Sequence, residues 1–283
     1  MDVVVDIGNT RVKCGIALHN AVAEEVSILD IPPLGKRLGE ESLRRLFHWE
    51  ILSGSEVLAD YPKPLTWWIA QTGSFSWQKL KAEIQSIRAN DRFNILTHQQ
   101  IPLERDVELP AKVGMDRLLA AFAAVEAYGD VPLLIVDAGS AVTMDVVQNQ
   151  TFHGGAIFPG LTALSAIYPQ ISPKLPHVPI PHSSSNTRPV YPGRNTQEAL
   201  QNGLYWGTIG AIRQFYGMLR KENATLILTG GDAQYLFPGL TQEIPASQIQ
   251  CHPNLVLEGI RNYLTKHVRL TQKTKTPAKQ VRQ

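Results

Sequence analysis

The chain of 283 residues is poor in charge and in cysteine, and each shortage argues against a class of protein. Charged side chains make up 18% of the residues and the net charge is +2, so no chain-wide field points to nucleic acid as a partner. Two cysteines, Cys14 and Cys251, are too few for a disulfide framework and lack metal-ligand spacing. No apolar run approaches the roughly 20 residues that a membrane-spanning helix needs. Because the N-terminus also lacks signal-peptide features, we expect a cytoplasmic protein.

Several catalytic signatures are missing from the sequence as well. A P-loop kinase is disfavoured because no G-x-x-x-x-G-K-[ST] occurs, and a dinucleotide-binding fold because no G-x-G-x-x-G follows a strand. There is no G-x-S-x-G nucleophile elbow and no H-E-x-x-H zinc motif. The chemistry must therefore lie in another pattern.

That pattern is a short motif that occurs twice in the chain. Residues 3–9 read VVVDIGN and residues 134–140 read LIVDAGS, so an apolar strand is followed twice by Asp, one spacer, Gly and a small polar residue. A second strand-like run follows each copy, at residues 12–18 and 142–147. Either copy alone would pass for an ordinary hairpin. Their separation of nearly half the chain favours a duplicated domain in which both turns serve one ligand site.

The remaining pattern alternates strands with helices, which predicts an α/β fold. Residues 154–160 are rich in turn formers and lead into a helix, and residues 169–195 predict a long loop. Thr196 is the predicted N-cap of a helix with Glu198 in its first turn. The other predicted elements are strands at 65–70 and 225–228 and helices at 77–87, 115–128 and 196–219, of which 115–128 is apolar nearly all round and should be buried.

The first glycine turn combines groups that bind phosphate. Turn amides, the Asn9 amide, the Thr10 hydroxyl and the Lys13 ammonium could converge on phosphate oxygens, and Asp6 could hold Mg²⁺ directly or through water. Lys13 could equally be an exposed residue of a hairpin. The predicted ATP-binding residues in this turn are Asp6, Ile7, Gly8, Asn9, Thr10, Arg11, Val12 and Lys13.

A second candidate lies at the start of the buried helix. Gly114 would allow a substrate to approach, Asp116 could accept a proton from a substrate hydroxyl, and Arg117 could bind an anionic group. The alternative is structural, because a carboxylate in the first turn also stabilises the helix dipole. In phosphoryl transfer a carboxylate mainly needs good position, which this helix start could supply.

The second glycine turn and a later glycine pair complete the candidate site. Ser140 can donate to a phosphate and Asp137 can meet a cation, in a turn that we expect to share one ligand with the first. Gly230 and Gly231 follow a predicted strand and let the backbone approach a ligand closely, although a simple turn would look the same.

The ordered set of motifs resembles the type III pantothenate kinase family over residues 1 to about 263. The motifs are DIGNT at residue 6, GMDR at 114, DAGSA at 137, GGAIFPG at 154 and TGGDA at 229. The resemblance implies a two-lobed, ribonuclease-H-like duplicated fold of the actin and sugar-kinase type, with central mixed sheets flanked by helices. It implies phosphorylation of the pantothenate 4′-hydroxyl by ATP, the first step of coenzyme A biosynthesis. Mg²⁺, K⁺ or ammonium, and a homodimer are implied too.

By resemblance, each motif receives a role. Asp6 to Lys13 is the first phosphate loop, Asp116 the catalytic base, Asp137 the monovalent-cation ligand and Ser140 a nucleotide contact. The implied substrate-binding residues are Gly114, Met115, Asp116, Arg117 and Thr196, and Gly230 and Gly231 belong to the nucleotide site. We expect lobes at residues 1–110 and 111–265.

Two departures and three alternatives accompany the resemblance. Ser140 stands where the family more often has Thr, and Val107 stands where many members have Tyr near the substrate. The reaction could be that of another small-molecule kinase of the superfamily, such as a sugar or acetate kinase. A non-catalytic regulator or DNA-associated factor would use the basic tail, residues 266–283, which we interpret as a flexible end. A filament-forming actin-like protein has no sequence feature in its favour.

Overall fold

A computed structural model describes residues 1–17, 27–30, 50–51, 56–57, 62–181, 188–219 and 223–268. The chain forms two compact units that interleave along the sequence. The first contains the described parts of Met1–Pro102, Gly114–Leu119 and Val256–Gln283, and the second contains those of Leu103–Val113 and Ala120–Leu255. The lobe boundary expected between residues 110 and 111 stays a prediction, and most of the basic tail, residues 269–283, lies outside the described residues.

The first unit is built on a five-stranded mixed sheet. Its strands are β1 (Asp2–Ile7), β2 (Arg11–Ala17), β3 (Ser27–Asp30), β6 (Thr66–Gln71) and β7 (Arg92–Ile95), in the order β3-β2-β1-β6-β7. Strands β1, β2 and β3 are antiparallel, whereas β6 and β7 run parallel to β1. A separate two-stranded ladder joins β4 (Glu50–Ile51) to β5 (Glu56–Val57). Val3, Val5, Ile7, Trp67 and Ile69 form the centre of the core of this unit.

The second unit repeats that plan. Its sheet has the order β13-β12-β9-β10-β11-β8, formed by β8 (Glu104–Arg105), β9 (Leu133–Ala138), β10 (Ala141–Gln148), β11 (Thr151–Pro159), β12 (Thr225–Thr229) and β13 (Ile249–Cys251). Strands β9, β10 and β11 are antiparallel, and β12 and β13 run parallel to β9. Apart from the short β8, strand order and direction match those of the first sheet. The predicted duplication is therefore confirmed.

The helices confirm most of the predicted elements. They are α1 (Trp77–Ile87), α2 (Met115–Tyr128), α3 (Leu161–Ile171), α4 (Thr196–Leu219), α5 (Ala233–Leu240) and α6 (Leu255–Tyr263), followed by a π-helical turn, Leu264–Val268. Helix α2 is buried along most of its length, as its composition predicts. Among the described residues, no helix is both long and apolar enough to cross a membrane.

Two local predictions are wrong. The glycine-rich stretch at 154–160 is mainly strand, because β11 extends to Pro159 and α3 begins only after Gly160. The N-cap of α4 is Asn195 rather than Thr196: Glu198 N donates to Asn195 Oδ1 at 2.9 Å, and Asn195 Nδ2 donates back to Glu198 Oε1 at 2.8 Å. This reciprocal pair satisfies the helix start, so Thr196 is the first helical residue.

Candidate functional site

The first glycine turn is a short exposed link between two buried strands. Ile7 and Val12 are the last paired residues of β1 and β2, and Gly8 N donates to the Arg11 carbonyl at 3.0 Å. Asn9, Thr10 and Arg11 are exposed, whereas Asp6 is buried at the strand end. The register places Lys13 directly opposite Asp6, and directly opposed residues share one face of a sheet. The turn thus brings exposed amides and hydroxyls next to a carboxylate and a cation.

The end of β6 packs directly onto this turn. Thr72 N and Gly73 N both donate to the Ile7 carbonyl, at 3.0 and 2.9 Å. A Cβ on Gly73 would lie 1.8 Å from the Gly8 carbonyl oxygen, a distance that no side chain tolerates. Gly73 is therefore required for this close approach. The sequence analysis did not identify Thr72 or Gly73, although Thr-Gly directly after a predicted strand is a signal for such a contact.

Asp116 is held at the start of α2, within the same unit. Its backbone N donates to Thr72 Oγ1 at 3.1 Å, and its Oδ1 accepts from Arg117 N at 2.8 Å. The glycine at position 114 leaves room for the Asp116 side chain, because a Cβ there would lie 2.4 Å from Asp116 Oδ1. Met115 is buried, and Arg117 is half-buried. The structure thus brings GMDR next to the first glycine turn through Thr72 and Gly73.

The surroundings of Asp116 favour a proton acceptor. Burial raises the pKa of its carboxyl above the usual range, and this effect exceeds the opposing ones. The Arg117 backbone N–H, the Arg117 charge, the Thr72 hydroxyl and the Asp116 backbone N–H all act in the other direction. A carboxylate with a raised pKa takes up a proton more readily than a solvated one, which suits general base chemistry.

The second glycine turn is tighter than the first. Ala138 and Val142 are its last paired strand residues, and Gly139 N donates to the Ala141 carbonyl at 3.0 Å. Asp137 is half-buried and Ser140 is exposed. Both predicted residues of this turn therefore lie where a bound group could reach them.

Two glycines from other elements pack against the second turn. A Cβ on Gly160 would lie 2.0 Å from the Gly139 carbonyl oxygen, and Gly160 N donates to the Ser140 carbonyl at 3.1 Å. Gly230 has φ +93°, and a Cβ there would lie 2.4 Å from both the Ala138 carbonyl oxygen and Asp137 Oδ1. The TGGDA motif therefore contacts the DAGSA motif directly through Gly230, whereas the adjacent Gly231 is exposed.

The remaining predicted substrate residues lie in the second unit. Thr196 is exposed at the start of α4, where Asn195 already supplies the cap. Val107 is half-buried, and its Cγ1 would be 3.4 Å from a Cβ on Gly154, which has φ +76°.

No dense metal-ligand cluster is present in the described part of the chain. Among these residues, no group of three or more His, Cys, Asp or Glu side chains could hold an ion. Mg²⁺ commonly takes one or two carboxylates and completes its shell with substrate phosphates and water. Asp6, buried beside exposed turn amides, is a carboxylate suited to that arrangement.

Comparison with known proteins decides the family. The sequence matches the model of the type III pantothenate kinase family over residues 3–217. A type III pantothenate kinase from Rhodopirellula baltica is 35% identical over 170 residues, which cover 60% of this chain and 60% of the relative. One from Desulfovibrio desulfuricans is 31% identical over 266 residues, which cover 90% and 93%. The chain belongs to the type III pantothenate kinase family.

Membership confirms the family that the sequence motifs predicted. The matched segment spans less than two thirds of some curated relatives, 60% in Rhodopirellula baltica and 54% in Persephonella marina. In others, such as Desulfovibrio desulfuricans, it spans nearly the whole length.

Solved structures support the predicted fold of this pantothenate kinase family member. A Baf family transcriptional activator from Campylobacter jejuni superimposes with a TM-score of 0.56 at 19% identity, over 94% of this chain and 99% of that one. An activator of 2-hydroxyisocaproyl-CoA dehydratase from Clostridium difficile gives a TM-score of 0.51 at 11% identity, over 98% of both chains. At such identities the likeness shows the fold alone.

Proposed function

We propose that this chain transfers the γ-phosphoryl group of ATP to the 4′-hydroxyl of pantothenate. The observation that carries the proposal is the placement of Asp116, a half-buried carboxylate with a raised pKa, beside the glycine turn between β1 and β2. Thr72 and Gly73 connect Asp116 to this turn. Thr72 Oγ1 accepts from Asp116 N at 3.1 Å, and Gly73 N donates to the Ile7 carbonyl at 2.9 Å. A phosphate site and a proton acceptor in one compact unit are the two parts that phosphoryl transfer to an alcohol requires.

The first turn is the proposed phosphate loop. The exposed backbone and side chains of Asn9 and Thr10 would donate to phosphate oxygens, and Lys13 would stabilise their charge. Asp6 would hold Mg²⁺ directly or through water, and the ion would offset the negative charge of the phosphates. Because the strands on both sides are buried, the loop is held rigidly before ATP binds.

Asp116 is the proposed general base, and Arg117 the proposed anion contact. Asp116 would accept the proton of the attacking hydroxyl as the bond to phosphorus forms. Pantothenate carries one carboxylate, and the Arg117 guanidinium would bind it by charge-assisted hydrogen bonds. Gly114 and Met115 would line the substrate site next to the carboxylate. The pantothenate contact that the resemblance implies for Thr196 stays a prediction.

The second turn is the proposed nucleotide and monovalent-cation site. Asp137, half-buried at the end of β9, would offer a carboxylate oxygen to K⁺ or ammonium. Ser140 would donate to the nucleotide from its exposed position, and Gly230 and Gly231 would let the backbone approach it closely. With ATP as donor, we also propose a cytoplasmic location.

We propose a homodimer as well, and helix α4 supports it. Gly207, Gly210 and Gly217 are exposed on this helix, and a Cβ on any of them would meet no described atom within 4 Å. Each glycine costs a helix about 1 kcal/mol relative to alanine, so intramolecular packing leaves their presence unexplained. Met218, which follows Gly217 on the same helix, is exposed and adds apolar area. A second copy approaching along α4 would bury this face, and 24 residues of helix span about 36 Å.

The dimer proposal is tested by the mass in solution. Gly207→Leu with Gly210→Leu should yield monomers in light scattering, because two bulky side chains block close approach while raising helix propensity. Ala127→Leu, on the exposed side of α2, is the matched control and should stay dimeric. A monomeric wild type, or a dimeric double variant, would contradict the proposed surface.

The reaction is tested by ADP release from MgATP with and without pantothenate, in K⁺ or ammonium buffer and again in Na⁺. We expect release that requires pantothenate and is faster with K⁺ or ammonium. Release that depends instead on a sugar or acetate would reassign the acceptor within the superfamily. Nucleotide binding without turnover on any acceptor would contradict the kinase reaction itself.

A further inference from the structure

The segment that follows β6 is the link between the two catalytic parts of the first unit. Strand β6 ends at Gln71, and the next two residues donate both their backbone N–H groups to one acceptor, the Ile7 carbonyl. Ile7 is the last residue of β1 before the first glycine turn. Thr72 is therefore fixed by its backbone to the base of that turn, and its side chain is left to contact another element.

That other element is the start of α2. The first four N–H groups of a helix have no acceptor within the helix, and Asp116 N is one of them. The residue before α2 is Gly114, which has no side chain to cap it. Thr72 Oγ1 accepts from Asp116 N at 3.1 Å, so the cap of this helix comes from a residue 44 positions earlier. Thr72 thus ties the helix start to the first glycine turn.

The hydroxyl of Thr72 also acts on the Asp116 carboxyl. It opposes the rise in the pKa of Asp116 that burial causes, as a hydrogen bond to the charged form does. The charged group that faces this carboxyl is Arg117, which acts in the same direction. The Thr72 side chain therefore accepts from the backbone of the proposed base and also lowers the pKa of its carboxyl.

We propose that Thr72 is a positioning residue, which holds the Asp116 carboxylate in a fixed orientation relative to the first glycine turn. The inference rests on the proposed role of Asp116 as the base. Thr72 itself takes no proton from the substrate. It fixes the helix start through its oxygen and orients the carboxylate through its hydroxyl proton, so that the base meets the attacking hydroxyl without first reorganising.

The test compares Thr72→Val with Thr72→Ser. Valine keeps the shape and removes the hydroxyl, whereas serine keeps the hydroxyl. We expect Thr72→Val to lower kcat by about tenfold or more, the usual effect of losing a hydrogen bond to a charged group, with little change in the KM for ATP. The acid limb of its kcat profile should move to higher pH, because the charged form of Asp116 loses a donor. Thr72→Ser should restore both.

The same substitution in an Asp116→Asn variant separates the positioning role of Thr72 from the proposed function. When combined with Asp116→Asn, Thr72→Val should lower kcat no further, because its effect passes through the carboxylate. An equal loss in both backgrounds, or an unmoved acid limb, would overturn the positioning role. Should Thr72→Val fold poorly, Thr72→Ala with the same two readouts replaces it. Absence of pantothenate-dependent ADP release in the wild type would instead overturn the proposed function.

Discussion

The two glycine turns occupy the same place in two sheets of identical strand order, yet they differ in length and in charge. Four residues separate Ile7 from Val12 in the first turn, and three separate Ala138 from Val142 in the second. The extra residue leaves more backbone exposed in the first turn. Duplication therefore supplied one scaffold, and a single-residue difference made its two turns distinct.

The cross-strand partners differ as well. Lys13 lies opposite Asp6, whereas the neutral Thr143 lies opposite Asp137. A cation beside the first turn favours phosphate, whereas Thr143 adds no charge opposite Asp137. The two turns therefore differ in the charge of the residue that lies opposite their Asp, as well as in length.

The largest expected effect is the loss of turnover when the proposed base, in the first unit, is removed. Asp116→Asn should lower turnover by roughly 10²–10⁴-fold, the usual range for a general base, with ATP binding retained. Single-turnover kinetics and ATP titration measure the two quantities separately. Asp130→Asn, at an exposed position after α2, is the matched control and should behave as the wild type. Near-wild-type turnover of Asp116→Asn would remove the base assignment.

The next prediction concerns the glycines that pack each turn. Gly73→Ala and Gly160→Ala place a Cβ 1.8 and 2.0 Å from a turn carbonyl oxygen, so each should destabilise its unit by about 1–3 kcal/mol. Urea unfolding measures the change. Gly139→Ala is the control, because its Cβ would meet its nearest neighbour, Asp137 Oδ1, at an ordinary 3.6 Å. If all three variants were equally stable, the close packing would not be what fixes the turns.

Sequence reasoning was accurate where a pattern is local and failed where it is not. The bounds of α1 and α2 are as predicted, and so is the burial of α2, which is apolar nearly all round. Strand β11 was missed because Gly154 and Gly155 suggest a turn. In the structure, Gly155 is required beside a register shift in β10, since a Cβ there would lie 1.8 Å from the Met144 carbonyl oxygen.

The same reasoning explains which site residues could be found. DIGN, GMDR and DAGS are short segments whose chemistry is visible in the letters themselves. Thr72 acts on a residue 44 positions away, and no local pattern predicts that hydrogen bond. Asn195 was missed by one position, because Asn and Thr are both good caps and the choice depends on how Glu198 folds back.

A smaller effect is expected from removing the cation of the first turn. Lys13→Gln should raise the KM for ATP by about tenfold, since one charge-assisted contact to phosphate is lost, and this increase should shrink at high salt. Lys174→Gln, at an exposed position after α3, controls for the change in net charge. An unchanged KM would show that Lys13 takes no part in binding ATP.

Placing a Lys opposite the Asp of the second turn would test directly whether this charge difference matters. Thr143→Lys places an ammonium group opposite Asp137, as Lys13 stands opposite Asp6. We expect the variant to lose most of its stimulation by K⁺, because the new charge takes the place of the ion. Rates in K⁺ and Na⁺ buffers measure it, with Thr143→Gln as the uncharged control. Undiminished stimulation in Thr143→Lys would place the cation elsewhere.

The smallest expected effect is on the free energy of unfolding. Its pH dependence distinguishes the buried Asp116 from carboxylates in solvent. The folded-state pKa of Asp116 is raised by burial, so the native protein binds more protons there than the unfolded chain between the two pKa values. The charged carboxylate therefore destabilises the fold progressively as pH rises from the unfolded value, about 3.9, through the raised folded value. Asp116→Asn should be more stable than the wild type at pH 7, and the difference should shrink as pH falls towards 4. Urea unfolding of both proteins at pH 7 and at lower pH measures this, and a constant difference would mean that the gain does not come from the buried charge.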